Sequence, residues 1–257
     1  MSATDKNLDE ARFQFALRLG DSALVLGQRI SEWVGHAPVL EEDIAMANVA
    51  LDLVGQTQLW LGLAGEIEGK GRSADDLAYH RDSGAFRNLL LVEQPNGDFA
   101  HTLVRQFFFD TWHHLMLTAL AEAEDKRFAE IAEKAAKEAS YHLTRSTDLV
   151  ISLGDGTDES HQRMQAAVDD LWPYSGELFM TDPVDEKLHA AGIAPDMEEL
   201  HAKWDAHVAE ALSRATLTRP EAGYMHQGSK RGVHTEHLGY LLAEMQFLQR
   251  AYPGAKW

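Results

Sequence analysis

Ala45-Met46-Ala47-Asn48-Val49-Ala50-Leu51-Asp52-Leu53-Val54-Gly55-Gln56 is the stretch that decides the fold of this chain. Residues 45 to 53 are apolar on nearly every side, the pattern of a helix surrounded by other helices. Asn48, Asp52 and Gln56, with Gln58 just beyond, make the stretch a poor membrane span.

Outward from this run, apolar residues recur at spacings of three and four along nearly the whole chain, and short alternating β-branched runs bounded by turns are scarce. The pattern predicts an all-α protein. A first helix is expected over about residues 8 to 34, with Phe13, Leu17, Gly20, Leu24, Gly27, Ile30 and Val34 on one stripe, ended by Gly35-His36-Ala37-Pro38. Pro38 suits the first turn of a second helix, in which Glu41, Glu42 and Asp43 complement the positive end of the dipole and which runs to about Glu68. Gly69-Lys70-Gly71 lacks the spacing of a phosphate-binding loop and reads as a C-cap. Ser73-Ala74-Asp75-Asp76 opens a short helix with an acidic capping box, and Gln94-Pro95-Asn96-Gly97-Asp98 breaks the chain again.

A third helix is expected over about residues 98 to 124 and a fourth over about 126 to 153, each about 27 residues or ~40 Å long. Four such helices, paired by short connections and joined by a crossover over residues 71 to 97, match an antiparallel four-helix bundle. Shorter helical segments follow at roughly 159 to 171, 197 to 215 and 235 to 251, joined by loops rich in Pro, Gly and Asp. With no long linker and no internal repeat, residues 1–257 are expected to form a single domain. Its core bundle covers about 8–155, and packed C-terminal helices cover about 156–257.

A chain of 257 residues can bury a large core without a disulfide or metal staple. The absence of cysteine excludes disulfides, thiolate zinc sites, iron–sulfur ligation and thiol nucleophiles, so any metal would have to be held by His and carboxylates. With 41 acidic against 23 basic residues, a formal charge of -18, nucleic acid and anionic membrane surfaces are poor partners. The polar start, Met1-Ser2-Ala3-Thr4-Asp5-Lys6-Asn7, has no apolar core of a secretory signal, and a cytoplasmic protein is expected.

A bundle that activates dioxygen at two irons needs one carboxylate from each of two helices and a Glu-x-x-His pair from each of the other two. Acid-x-x-His spacing occurs at Asp98/His101, Asp110/His113, Asp158/His161, Glu186/His189 and Glu198/His201. The two true Glu-x-x-His pairs fall close together in a late Pro-containing segment, where solvated faces are the simpler reading. The inward stripes are more telling. Helix three carries Phe99, Leu103, Phe107, Asp110, His114 and Leu117; helix four carries Phe128, Ile131, Ala135, Ala139, His142 and Leu149, with Glu138 one position aside. A buried Asp near a buried His is more readily a structural hydrogen-bonded pair than a ligand set. On helix two the same level holds Leu53 and Gln56, and an aliphatic side chain cannot ligate a metal.

At these residues a family resemblance enters. Leu24-Val25-Leu26-Gly27-Gln28-Arg29, Gly35-His36-Ala37-Pro38, Ala47 through Gln56, Asn88 through Gly97, Gly232-Val233-His234-Thr235-Glu236-His237-Leu238-Gly239, Leu242-Ala243-Glu244-Met245-Gln246 and the ending Pro253-Gly254-Ala255-Lys256-Trp257 closely resemble the C-subunit family of bacterial phenylacetyl-CoA epoxidases, over essentially the whole chain. The resemblance implies a ferritin-like subunit of a multicomponent monooxygenase. That complex epoxidises the aromatic ring of phenylacetyl-CoA with dioxygen and NADPH, during aerobic phenylacetate degradation. It further implies that this chain is a structural partner binding no cofactor itself. The di-iron centre then belongs to a catalytic paralogue, and NADPH, flavin and an iron–sulfur cluster belong to a reductase subunit. The complex is completed by a small bridging subunit. A homodimer of the isolated chain is compatible with it.

The catalytic relatives have Asp-Glu-Ala-Gly-His where this chain has Asp52-Leu53-Val54-Gly55-Gln56, and Glu-Glu-Ser-Phe-His where it has Glu138-Ala139-Ser140-Tyr141-His142. On that carry-over Leu53 and Ala139 replace carboxylates, Gln56 replaces a histidine, and Ala23 falls where the helix-one carboxylate would be. Asp110 and His142 survive, and with Gln56 they are expected to form a metal-free polar cluster.

The competing reading is a self-sufficient di-metal oxidase or oxygenase using Asp110, Glu138, His142 and further donors such as His113 or His114; iron storage would need the same missing ligands. At the C-terminal end, His234 and His237 are three apart in Gly232-Val233-His234-Thr235-Glu236-His237 and invite a metal reading. Thr235 as N-cap of the last helix leaves His234 outside the regular turn, and a capping or interface role is preferred.

Overall fold

The computed structural model describes residues 3–221 and 223–255. Among them there is no strand, and the fold class is all-α. The helices are α1 (Ala3–Ser31), α2 (Leu40–Glu68), α3 (Ala74–Tyr79), α4 (Leu90–Glu93), α5 (Phe99–Leu120), α6 (Lys126–Gly154), α7 (Asp158–Leu171), α8 (Pro183–Ala190), α9 (Met197–Arg214), α10 (Glu236–Met245) and α11 (Phe247–Ala251). They group into two compact units. The first takes in the described residues of Met1–Pro95, Pro183–Leu188 and Gly228–Trp257; the second is Asn96–Asp182 with His189–Gln227.

The first unit is built on the hairpin of α1 and α2. Gly20 of α1 lies against Trp60 and Leu61, and Gly27 against Ala50 and Leu53, so the two helices run antiparallel. A Cβ on Gly20 would meet a Leu61 methyl at 2.7 Å, which is why a residue without one stands at this approach. α2 ends on Gly69 in the left-handed region (φ 67), and Ser73 and Asp76 form the expected capping box at the start of α3. The chain returns to this unit at α10, which packs on α1. Buried ion pairs tie distant stretches together: Asp21 with Arg81, and Asp185 with both Arg18 (3.0 Å) and Lys230 (2.5 Å).

In the second unit α5 is the central helix, meeting α6, α7 and α9. Phe108 packs edge-on to Trp172 and tilted against Trp204, whose indole Nε1 donates to the Phe108 carbonyl at 3.0 Å. Trp112 likewise donates to the Leu178 carbonyl at 3.0 Å. Both indoles thus bury their rings without orphaning their N–H groups.

Several elements differ from the sequence expectations. Pro38 lies before α2 rather than in its first turn, and Val39 is the N-cap. α1 stops at Ser31, so Val34 is exposed, and α5 stops at Leu120. The last helix is broken at Gln246 into α10 and α11, and α4 and α8 were not anticipated. The apolar run of α2 is not enclosed on all sides, because Leu40 (71% exposed), Ile44 and Leu51 (69%) face outward. The buried stripe of α6 runs through Ala132, Ala139, His142, Ser146 and Val150, one position aside from Ile131 and Leu149, which are only half-buried.

Candidate functional site

The residues singled out on the four long helices divide between the two units. Ala23, Leu53 and Gln56 belong to the first, and Asp110, Glu138, Ala139 and His142 to the second. Within the first, Ala23 lies between Gly20 and Gly27, the two glycines that touch α2 over residues 50 to 61, so it stands at the level of Leu53 and Gln56. All three are buried. This helix pair offers an alanine, a leucine and a neutral amide, none of which carries a charge that could balance a metal cation.

In the second unit the structure brings Asp110 of α5 close to His142, Ser146 and Arg145 of α6. Asp110 is 1% exposed, and its Oδ1 accepts from the amide of Gln106, one turn earlier on α5, at 2.5 Å. Burial pushes the Asp110 carboxyl up to about 6, against the opposing pull of His142, of hydrogen bonds from Ser146 and Gln106, and of Arg145. His113, not His114, is the fully buried histidine of α5. Burial, then the neighbouring His142 and His114, push its pKa down to about 3, so it is a neutral imidazole at physiological pH. Its Nδ1 has no hydrogen-bond partner among the described residues. His114 is half-buried and bonded to the Ala136 carbonyl; Ala139 is buried and Glu138 half-buried. Gln106 and Ser146 were missed by the sequence reading, although each lies four residues from a residue it singled out, Asp110 and His142, on the same helix face.

The other acid-x-x-His pairs have separate structural uses. Asp98 caps α5 and accepts from the His101 ring at 2.8 Å, while the other ring nitrogen meets Asp170 at 3.0 Å. His161 bonds the Gly154 carbonyl, His189 bonds the Ala194 carbonyl, and His201 stacks on Phe179. Glu186 and Glu198 are exposed. Among the described residues no group of three or more His, Asp or Glu side chains is arranged to hold a metal ion.

At the C-terminal motif, Thr235 occupies the N-cap position of α10, but its hydroxyl makes no cap bond. The side chain that organises this helix start is Glu93, which is fully buried and accepts from the Thr235 backbone N–H (2.6 Å), the His234 ring (2.9 Å) and the Asn88 amide (2.9 Å). Glu93 was not singled out in sequence, where it lies in a stretch without long-helix periodicity. His237 takes no part in this set.

Comparison with known proteins places the chain in a lineage. The model of the family described as "Phenylacetic acid catabolic protein" matches residues 1–257. The chain belongs to that family. This family member is also similar to the C subunit of the 1,2-phenylacetyl-CoA epoxidase of Escherichia coli (strain K12), at 51% identity over 243 residues, covering 95% of this chain and 98% of that protein. The resemblance noted in the sequence motifs is thereby shown. No helix among the described residues is long and apolar enough to cross a membrane.

Proposed function

We propose that this chain is the non-catalytic subunit of a multicomponent phenylacetyl-CoA epoxidase, docking with a catalytic di-iron paralogue and supporting it while binding no cofactor of its own. The observation that carries this reading is the donor set. Leu53, Gln56 and Ala139 offer no charged or imidazole donor, and Asp110 is engaged by Gln106 in a setting that raises its pKa. Two irons need several anionic or imidazole donors each, and these residues do not fit them. The 51% identity to the C subunit of an epoxidase, over nearly its whole length, supports the same assignment. A docking role is further supported by the outward apolar side chains Leu40, Ile44 and Leu51, spaced along one side of α2 as a partner helix would need. On this reading the di-iron centre lies in the catalytic paralogue, NADPH, flavin and an iron–sulfur cluster serve the reductase, and the assembly is completed by a small bridging subunit.

Reconstitution tests it. With the reductase and NADPH but without the catalytic paralogue, the chain is expected to give no epoxidation of phenylacetyl-CoA and to purify with far less than one iron per chain. Adding the paralogue is expected to restore turnover. Turnover by this chain and the reductase alone, or stoichiometric iron with a di-iron absorption band, overturns the assignment.

A further inference from the structure

We infer that His234 is held as an imidazolium and latches the start of α10 onto the first unit, so that the C-terminal segment opens when the pH rises. The geometry demands it. The His234 ring is nearly fully buried, and both its nitrogens meet oxygen acceptors, Nδ1 facing Glu93 Oε2 at 2.9 Å and Nε2 facing the Phe86 carbonyl at 3.0 Å. A neutral imidazole has one N–H and can serve only one of them, whereas the imidazolium serves both. The Glu93 carboxyl group is held in place by donors on both oxygens, the Thr235 N–H on Oε1 and the Asn88 amide on Oε2.

The surrounding charges are of both signs. Asp21 of α1 faces the ring in the same buried region, with Arg81 paired to it. Arg87 donates to the same Phe86 carbonyl at 2.6 Å, and Arg29 of α1 donates to the Glu93 backbone carbonyl at 2.9 Å. Glu236 and His237 follow on α10 itself. Burial lowers the basicity of His234, but the hydrogen bond and charge of Glu93, the Phe86 carbonyl and the charge of Asp21 outweigh it, and its pKa stands above the usual value. Beyond its far end the chain is pinned differently: the amide of Gln246, the C-cap of α10, bonds the Ala78 and Arg81 carbonyls, and Arg250 of α11 bonds Asp82 and the Arg81 carbonyl. None of those donors loses its proton near neutrality. Only the His234 end is therefore pH-dependent there. Because the folded pKa is raised, the latch is fully present below the unfolded value and is lost as pH rises through the folded one. The opening equilibrium grows by up to about tenfold for each unit between the two.

Nitrogen-15 NMR of the intact chain labelled in histidine tests the protonation directly. At neutral pH the His234 ring is expected to show two protonated nitrogens. His101, which bridges Asp98 and Asp170, is expected to show the same pattern, and His101→Asn separates the two signals. In Glu93→Gln, His234 is expected to become the neutral Nε2–H tautomer. Amide exchange over α10, corrected for the intrinsic rate, is expected to lose protection as pH rises past the usual histidine value in the parent and to be flat with pH in Glu93→Gln. A neutral His234 ring in the parent at pH 7, or parent α10 protection that does not change with pH, overturns the inference. Both readouts on the parent stand even if Glu93→Gln fails to fold.

Discussion

Asp110 and His113 sit one turn apart on α5, and burial moves their pKa values in opposite directions. Between about pH 4 and 6 the folded chain keeps a proton on Asp110 that the unfolded chain has released, so this contribution to stability falls as pH rises through that window and then levels off. His113 does the reverse. Between about pH 3 and 6.5 the unfolded chain takes up a proton that the buried ring refuses, so its contribution rises with pH. Asp110→Asn keeps an oxygen for the Gln106 amide and removes the buried charge. It is expected to raise stability above pH 6 by on the order of 1–3 kcal/mol and to remove the fall between pH 4 and 6. Urea unfolding of both proteins at a series of pH values reads this, and equal stabilities at pH 7.5 would contradict it. At this scale the sequence disclosed Asp110 and His142, because both lie on recognisable stripes. It did not disclose Glu93, because the carboxylate's partners come from Asn88 and from residues 234 and 235, and no periodicity joins positions so far apart.

For the helices, boundaries were legible where capping chemistry is local. Asp98, Ser73 and Gly69 each behave as their side chains, or lack of one, require. The enclosure of α2 was misread because Leu40, Ile44 and Leu51 are apolar yet exposed, and composition alone does not tell a buried apolar face from an exposed one. If the proposed docking role holds, Leu51→Asp is expected to leave the thermal midpoint of the isolated chain within a few degrees, while weakening binding to the catalytic paralogue by about tenfold or more, measurable by titration calorimetry. Two glycines of α2 predict opposite outcomes. A Cβ at Gly65 would stand 2.2 Å from the Arg72 carbonyl oxygen, where the chain folds back after the helix; one at Gly62 meets nothing. Gly65→Ala is expected to cost at least about 1–3 kcal/mol, and Gly62→Ala to stabilise by about 0.5–1 kcal/mol, as differential scanning calorimetry would register.

Across the whole molecule, the all-α class was readable from the unbroken period of three and four, and the lineage from motifs spread over the full length. The grouping into two units was not readable, since the first unit takes its members from both ends of the chain. That arrangement bears on how the protein is made. Glu93 and His234 are separated by 141 positions. At ~5–20 residues per second, the first unit waits on the order of ten seconds after Glu93 is made before the ribosome delivers the partner that completes it. The earliest-made unit is therefore the last to close, and during that interval the α1 and α2 hairpin lacks the helix that packs on it. Co-translational pairing with another protein, or the holding action of a chaperone, would act on this half-finished hairpin rather than on the released protein.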